Sequence, residues 1–124
     1  MKGENMSKIL IVDDEVEVCN TLKEFLTKKN YEVLVAHNDK DGFSMFKTVA
    51  PDLVLLEVEL PERGGLLLLD YIRAIKFYAK VIMMSANGTY TNVKLATKKG
   101  AMGFLVKPLN MEGIELTINN VLSS

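Results

Sequence analysis

The sequence predicts a single α/β domain built on a doubly wound parallel sheet. Three observations carry that expectation. Five short apolar runs alternate with five stretches of helical period. The runs are apolar throughout rather than at every second residue, as strands covered on both faces are. Four of the five also end in a polar or charged residue, at the edge where such sheets hold their ligands.

The elements follow in order. Ile9-Leu-Ile-Val12 is the first strand, and Asp13-Asp14 follow it. Val18, Leu22, Phe25 and Leu26 then recur at i, i+4, i+7 and i+8, the stripe of an amphipathic helix. Cys19 lies in that helix and reads as a small apolar residue. The second strand, Val33 to Ala36, is expected at the edge of the sheet. It ends in His37, expected to be an ordinary surface histidine away from the acidic crevice. Asn38 or Asp39 caps a second helix, which must stop before Pro51 because proline disfavours helical backbone in the residue ahead of it.

Leu53-Val-Leu-Leu56 is the third strand, closed by Glu57. A third helix runs from about Leu66 to Ile75 after the permissive pair Gly64-Gly65; of its four consecutive leucines, Leu67 is expected to face outward. Val81-Ile-Met-Met84 leads to Ser85. A fourth helix, from about Thr89 to Lys99, stops at Gly100, a residue suited to a helix end. Lys98 and Lys99 complement the negative end of that helix and are expected to be solvated. Gly103-Phe-Leu-Val106 runs into Lys107-Pro108, and Ile114, Ile118, Val121 and Leu122 form the stripe of the last helix. Strand–helix alternation of this kind requires right-handed crossovers.

The whole-chain quantities narrow the function. The 124 residues suit one domain, expected over 8–124 after a short polar leader over 1–7. A net charge of −1 leaves no basic footprint, so nucleic acid is not an expected direct ligand. One cysteine cannot form an internal disulfide, which suits a reducing cytoplasm. No apolar run approaches the roughly 20 residues of a membrane span, and no signal core precedes the first strand.

The polar strand ends define a candidate site. Asp13, Asp14 and Glu57 meeting in one crevice repel one another and need a counter-charge. A hard cation such as Mg²⁺ (or Mn²⁺) supplies it, favouring carboxylates, waters and a phosphate oxygen. A direct ion pair between Glu57 and Lys107 is the competing solution. Ser85 offers a hydroxyl donor and Lys107 a compact point charge. Metal, ammonium and hydroxyl around an acceptor carboxylate are the parts that stabilise a transferring phosphoryl group.

Four segments carry a family resemblance: Lys8-Ile-Leu-Ile-Val-Asp-Asp-Glu15, Pro51-Asp-Leu-Val-Leu-Leu-Glu-Val-Glu-Leu-Pro61, Met84-Ser-Ala86 and Gly100-Ala-Met-Gly-Phe-Leu-Val-Lys-Pro108. In this order, across the whole chain, they resemble the receiver domain of bacterial two-component response regulators. The resemblance implies a flavodoxin-like fold with strand order 2-1-3-4-5, and phosphoryl transfer from a sensor histidine kinase or phosphotransfer protein to residue 57. It implies Asp14 as direct metal ligand, Asp13 as its water-mediated helper, and the Glu59 backbone carbonyl completing the site. Ser85 and Lys107 would contact the acyl phosphate, Phe104 would be the switch aromatic, and the Lys107–Pro108 peptide would be cis. A normal receiver is not an enzyme acting on others, but it catalyses its own phosphorylation and dephosphorylation.

Glu57 departs from the pattern, standing where the family carries aspartate. Its carboxylate reaches about 1.5 Å further, one carbon–carbon bond, into space the phosphoryl group should occupy. Normal phosphorylation is therefore expected to be impaired. Two origins fit, a naturally divergent receiver and a deliberate Asp→Glu substitution. The reading that follows is a monomeric, cytoplasmic, single-domain receiver. It signals by protein contact through the fourth helix, fifth strand and fifth helix, with Tyr90, Lys94 and Phe104 as contacts. No effector follows Ser124, so output is expected in trans unless the chain is a fragment. The alternative is a phosphorylation-independent pseudo-receiver scaffold. A flavin-binding module of the same fold is disfavoured, since Asp13-Asp14-Glu15 would repel an anionic cofactor. Because a glutamate lacks the equatorial oxygens of a phosphoryl group, Ser85 is expected to turn away from residue 57 and Phe104 to lie at least partly outward.

Overall fold

The structure, a computed structural model, describes residues 7–124, so the expected leader lies outside the described residues except for Ser7. The chain runs β1 (Lys8–Val12), α1 (Val16–Lys28), β2 (Glu32–Ala36), α2 (Asp39–Val49), β3 (Leu53–Glu57), α3 (Gly65–Ile75), β4 (Val81–Ser85), α4 (Tyr90–Lys98), β5 (Gly103–Val106) and α5 (Met111–Leu122). All four strand pairings are parallel and the order is β2-β1-β3-β4-β5. This is the flavodoxin-like arrangement, with β2 as an edge strand.

Successive side chains of a strand point to opposite faces, and the core divides accordingly. Leu10, Val12, Val54, Leu56, Val81 and Met83 face one way and pack under α2, α3 and Ala96 of α4. Ile9, Ile11, Leu53, Leu55, Ile82 and Met84 face the other way, against Cys19, Leu22 and Leu26 of α1 and Ile114, Ile118 and Val121 of α5. Each such residue contributes roughly 1.5–3 kcal/mol relative to exposure. Continuous apolar sequence in the central strands is the direct consequence of having two covered faces.

Asn38 caps α2, its side chain accepting from the Asp41 N–H at 2.7 Å, and Thr89 caps α4 through the Asn92 N–H at 3.2 Å. Gly100 ends the fourth helix at φ 104°, where a Cβ would also strike the Arg73 guanidinium. Two local expectations change. Lys99 is not free in solvent: it pairs with Asp70 of α3 at 2.9 Å, and both α3 and α4 contribute to the same core cluster. Leu67 is half-buried, beside Phe43 and Tyr71 in the groove between α2 and α3.

Candidate functional site

Register brings the polar strand ends together. Val12 pairs with Leu56, so Asp13 lies beside Glu57. Ser85 pairs with Val106, and the Lys107 N–H donates to the Ser85 carbonyl at 2.8 Å. Gly65 lets the loop after β3 close tightly. Its N–H donates to the Val58 carbonyl at 2.8 Å, and a Cβ there would come within 1.8 Å of the Glu57 carbonyl oxygen. The crevice at this edge is lined by Asp14, Glu15, Glu57, Glu59, Ala86, Asn87 and Lys107.

Lys107 is the hub. Its ammonium donates to Asp13 Oδ2 at 2.8 Å and to Glu15 Oε1, and lies 2.5 Å from Glu57 Oε1. Asp13 and Glu57 are both buried. Burial works against the charged lysine, but its bonds to Asp13, Glu15 and Glu57 outweigh this and hold it well above its ordinary range. For Glu57 the balance goes the other way. Burial pushes its carboxyl up from 4.5 to about 7, and the neighbouring Glu59 carboxylate pushes in the same direction. Burial also opposes ionisation of Glu59, yet hydrogen bonding to Glu57 and Ser85 keeps its carboxyl below the usual range. The lower-lying acid of this pair is therefore Glu59.

Asp13 is fixed on every side. Its Oδ1 accepts from the Glu15 N–H at 2.9 Å, and its own N–H donates to the Ala36 carbonyl at 3.0 Å. Its carbonyl accepts from His37 Nδ1 at 3.0 Å and from the Cys19 thiol at 3.2 Å. A carbonyl can only accept, so Nδ1 of His37 carries the proton. His37 is exposed but is not remote from the crevice. The pairing Val12↔Ala36 places the residue after β2 next to the residue after β1. Burial, with the Asp13 charge adding, pushes the Cys19 thiol up to about 11, so Cys19 stays a neutral donor.

The expected ligand set is rearranged. The carboxylate oxygens that converge, all within 4.8 Å of one another, belong to Asp13, Glu15 and Glu57. Asp14 lines the crevice but is exposed and stands outside that group; Glu15, two residues after Asp13, takes its place. The sequence signal was present in Asp13-Asp14-Glu15, but only the turn after β1 decides which acids face Lys107. The cluster fits a hard divalent cation, because its donors are all carboxylate oxygens and Glu57 Oε1 is buried without a well-directed hydrogen bond. Lys107 already neutralises those oxygens, so a cation would have to share or displace the ammonium.

Glu59 enters through its side chain and its backbone N–H. Ser85 is buried, and its hydroxyl donates to Glu59 Oε1 and Oε2 at 2.9 and 2.7 Å rather than to Glu57. The Glu59 N–H donates to Glu57 Oε2 at 3.1 Å. Phe104 in β5 is half-buried against the cluster under α2, α3 and α4. The Lys107–Pro108 peptide is cis. On α4, Tyr90 is 77% exposed, with Lys94 over its ring at 5.6 Å.

Known proteins place this arrangement. The family model described as the response regulator receiver domain matches residues 9–119. The chemotaxis protein CheY of Bacillus subtilis strain 168 is 35% identical over 117 residues, spanning 94% of this chain and 98% of that one. The transcriptional regulatory protein ZraR of Escherichia coli strain K12 is 30% identical over 115 residues, which are 93% of this chain but 26% of that protein. A crystal structure of a response regulator receiver domain protein from Clostridium thermocellum superposes with a TM-score of 0.90 at 30% identity, covering 95% of each chain. Sheet order, converging strand ends and matched residues agree, and the chain belongs to the response regulator receiver domain family.

Proposed function

We propose that this receiver signals by protein–protein contact as a single domain, and that phosphoryl transfer to residue 57 is impaired in it. The observation that carries the proposal is the 2.5 Å contact between Glu57 Oε1 and Lys107 Nζ. In phosphoryl transfer from a small donor, a carboxylate oxygen attacks phosphorus while the bond to the leaving oxygen breaks in line with it. The longer acid instead brings its oxygen against the ammonium that would stabilise the transferring group. Misplacement of about an ångström costs roughly a hundredfold in rate. Asp13, Glu15 and Glu57 would hold Mg²⁺ or Mn²⁺, which would neutralise charge on the phosphoryl oxygens, and Lys107 and Ser85 would address the same group.

The partners that suit this reading are a sensor histidine kinase or phosphotransfer protein upstream. Downstream, a protein target would dock on α4, β5 and α5, where Tyr90, Leu95 and Val106 are exposed. We place the protein in the cytoplasm as a monomer; no helix among the described residues is long and apolar enough to cross a membrane. A second reading, a pseudo-receiver scaffold that needs no phosphorylation, is favoured by one observation, the Ser85 hydroxyl bound to Glu59 instead of residue 57.

Incubation with Mg²⁺ and acetyl phosphate, read by intact mass, tests the proposal. The parent should stay unmodified and Glu57→Asp should gain one phosphoryl mass. An alkali-labile adduct on Glu57 would overturn the impairment. An Asp variant that never gains the mass would favour the scaffold.

A further inference from the structure

A serine hydroxyl has one hydrogen to donate. In Ser85 that hydrogen is shared between the two oxygens of Glu59, at 2.9 and 2.7 Å. The Ser85 oxygen in turn accepts from the Asn87 N–H at 2.8 Å. Glu59 belongs to the loop after β3, and Asn87 to the loop after β4. One carboxylate therefore sets the side chain of Ser85 and, through it, the start of the loop leading to α4. A carboxylate acceptor makes a hydrogen bond roughly twice as strong as a neutral one, and both Glu59 oxygens lie within reach of the Ser85 hydroxyl.

We propose that Glu59 is a positioning residue whose carboxylate holds the Ser85 hydroxyl and withholds it from any acceptor carried at residue 57. The proposal rests on reading residue 57 as the acceptor position, and adds a regulatory element to that site. An oxygen group at residue 57 gains the Ser85 bond only by replacing the one to Glu59. A ligand shifts a conformational equilibrium only by its differential interaction with the two states. The bias available from Ser85 is then the difference between two hydrogen bonds, not a whole one. Glu59 thus raises the threshold for switching through its hold on Ser85, and removal of its carboxylate leaves Ser85 poised toward residue 57.

Two variants at this exposed position test the idea: Glu59→Met removes the acceptor at similar size, and Glu59→Gln keeps a neutral one. The first readout uses no phosphoryl chemistry. Amide exchange at Asn87, followed by NMR, should accelerate about tenfold in Glu59→Met, the size expected for loss of one charge-assisted bond, and less in Glu59→Gln. Unchanged exchange in Glu59→Met overturns the proposal. The second readout is beryllofluoride affinity with Mg²⁺ in the Glu57→Asp background. Adding Glu59→Met should tighten binding by about tenfold, with Glu59→Gln intermediate. Equal affinities in all three proteins also overturn it. If none of them binds beryllofluoride, the acceptor reading of residue 57 fails instead, and Asn87 exchange alone decides whether Glu59 holds Ser85.

Discussion

Lys107→Met removes the ammonium while keeping a stem of similar length, and the structure sets the size of the effect. The ammonium lies 2.8 Å from Asp13 Oδ2 and 2.5 Å from Glu57 Oε1, and both acids are buried. At an effective dielectric of about 20, each contact represents roughly 6 kcal/mol of gross attraction. Desolvation of the three groups cancels much of that in the parent. In the variant the acids remain buried with no cation, a change that costs about 3–5 kcal/mol. The contact to Glu15 adds little, since that side chain is 56% exposed. For a domain of this size the loss corresponds to a fall in Tm of about 12–20 °C. The assay is thermal unfolding by circular dichroism at pH 7.5 in EDTA, repeated at pH 5. Lys107 is what lowers the Glu57 carboxyl against its burial, so without it protonation of Glu57 relieves the variant and the gap to the parent should narrow at pH 5. Added Mg²⁺ should raise the Tm of the variant more than that of the parent, because no ammonium competes for the carboxylates. A Tm within about 2 °C of the parent at pH 7.5, well inside the expected fall, would refute the view that Lys107 neutralises this site. So would a loss of equal size at both pH values.

Other outcomes follow from the same geometry. Glu57 has its folded-state carboxyl raised from 4.5 to about 7, so between those values the folded state binds more protons than the unfolded chain. Its contribution to stability therefore declines as pH rises from about 5 to 7.5, by at most about 3 kcal/mol; urea melts of Glu57→Gln should lack that decline, and an identical slope would contradict it. Gly65→Ala places a Cβ 1.8 Å from the Glu57 carbonyl oxygen, so backbone must move. It should lose at least about 1–3 kcal/mol in urea unfolding, the usual cost of overpacking. Asn38→Ala removes the cap that accepts from the Asp41 N–H; a loss near 1 kcal/mol, or about 4 °C in Tm, is expected.

The fold was legible because it depends on quantities a sequence displays directly. Leu53 to Leu56 and Val81 to Met84 are apolar at every position, which only a doubly covered strand requires, and the structure buries all of them. Strand ends were legible because a charge such as Glu57 interrupts the apolar run, even though the structure buries it too. The resemblance added the strand order, and the pairing of Val12 with Ala36 and Leu56 agrees with it.

What the sequence determined by itself was the set of elements, their alternation, and the gathering of Asp13, Glu57, Ser85 and Lys107 at one edge. Tertiary structure decided how those groups divide among one another. The turn after β1 leaves Asp14 exposed and brings Glu15 to Lys107, and the parallel edge strand sets His37 against the Asp13 carbonyl. The loop after β3 carries Glu59 across to Ser85. These assignments are pairings between loops distant in the chain, chosen by competition among acids for one ammonium and one hydroxyl. Hydrophobic periodicity records burial, which is local to each element; it holds no record of which carboxylate wins a shared donor.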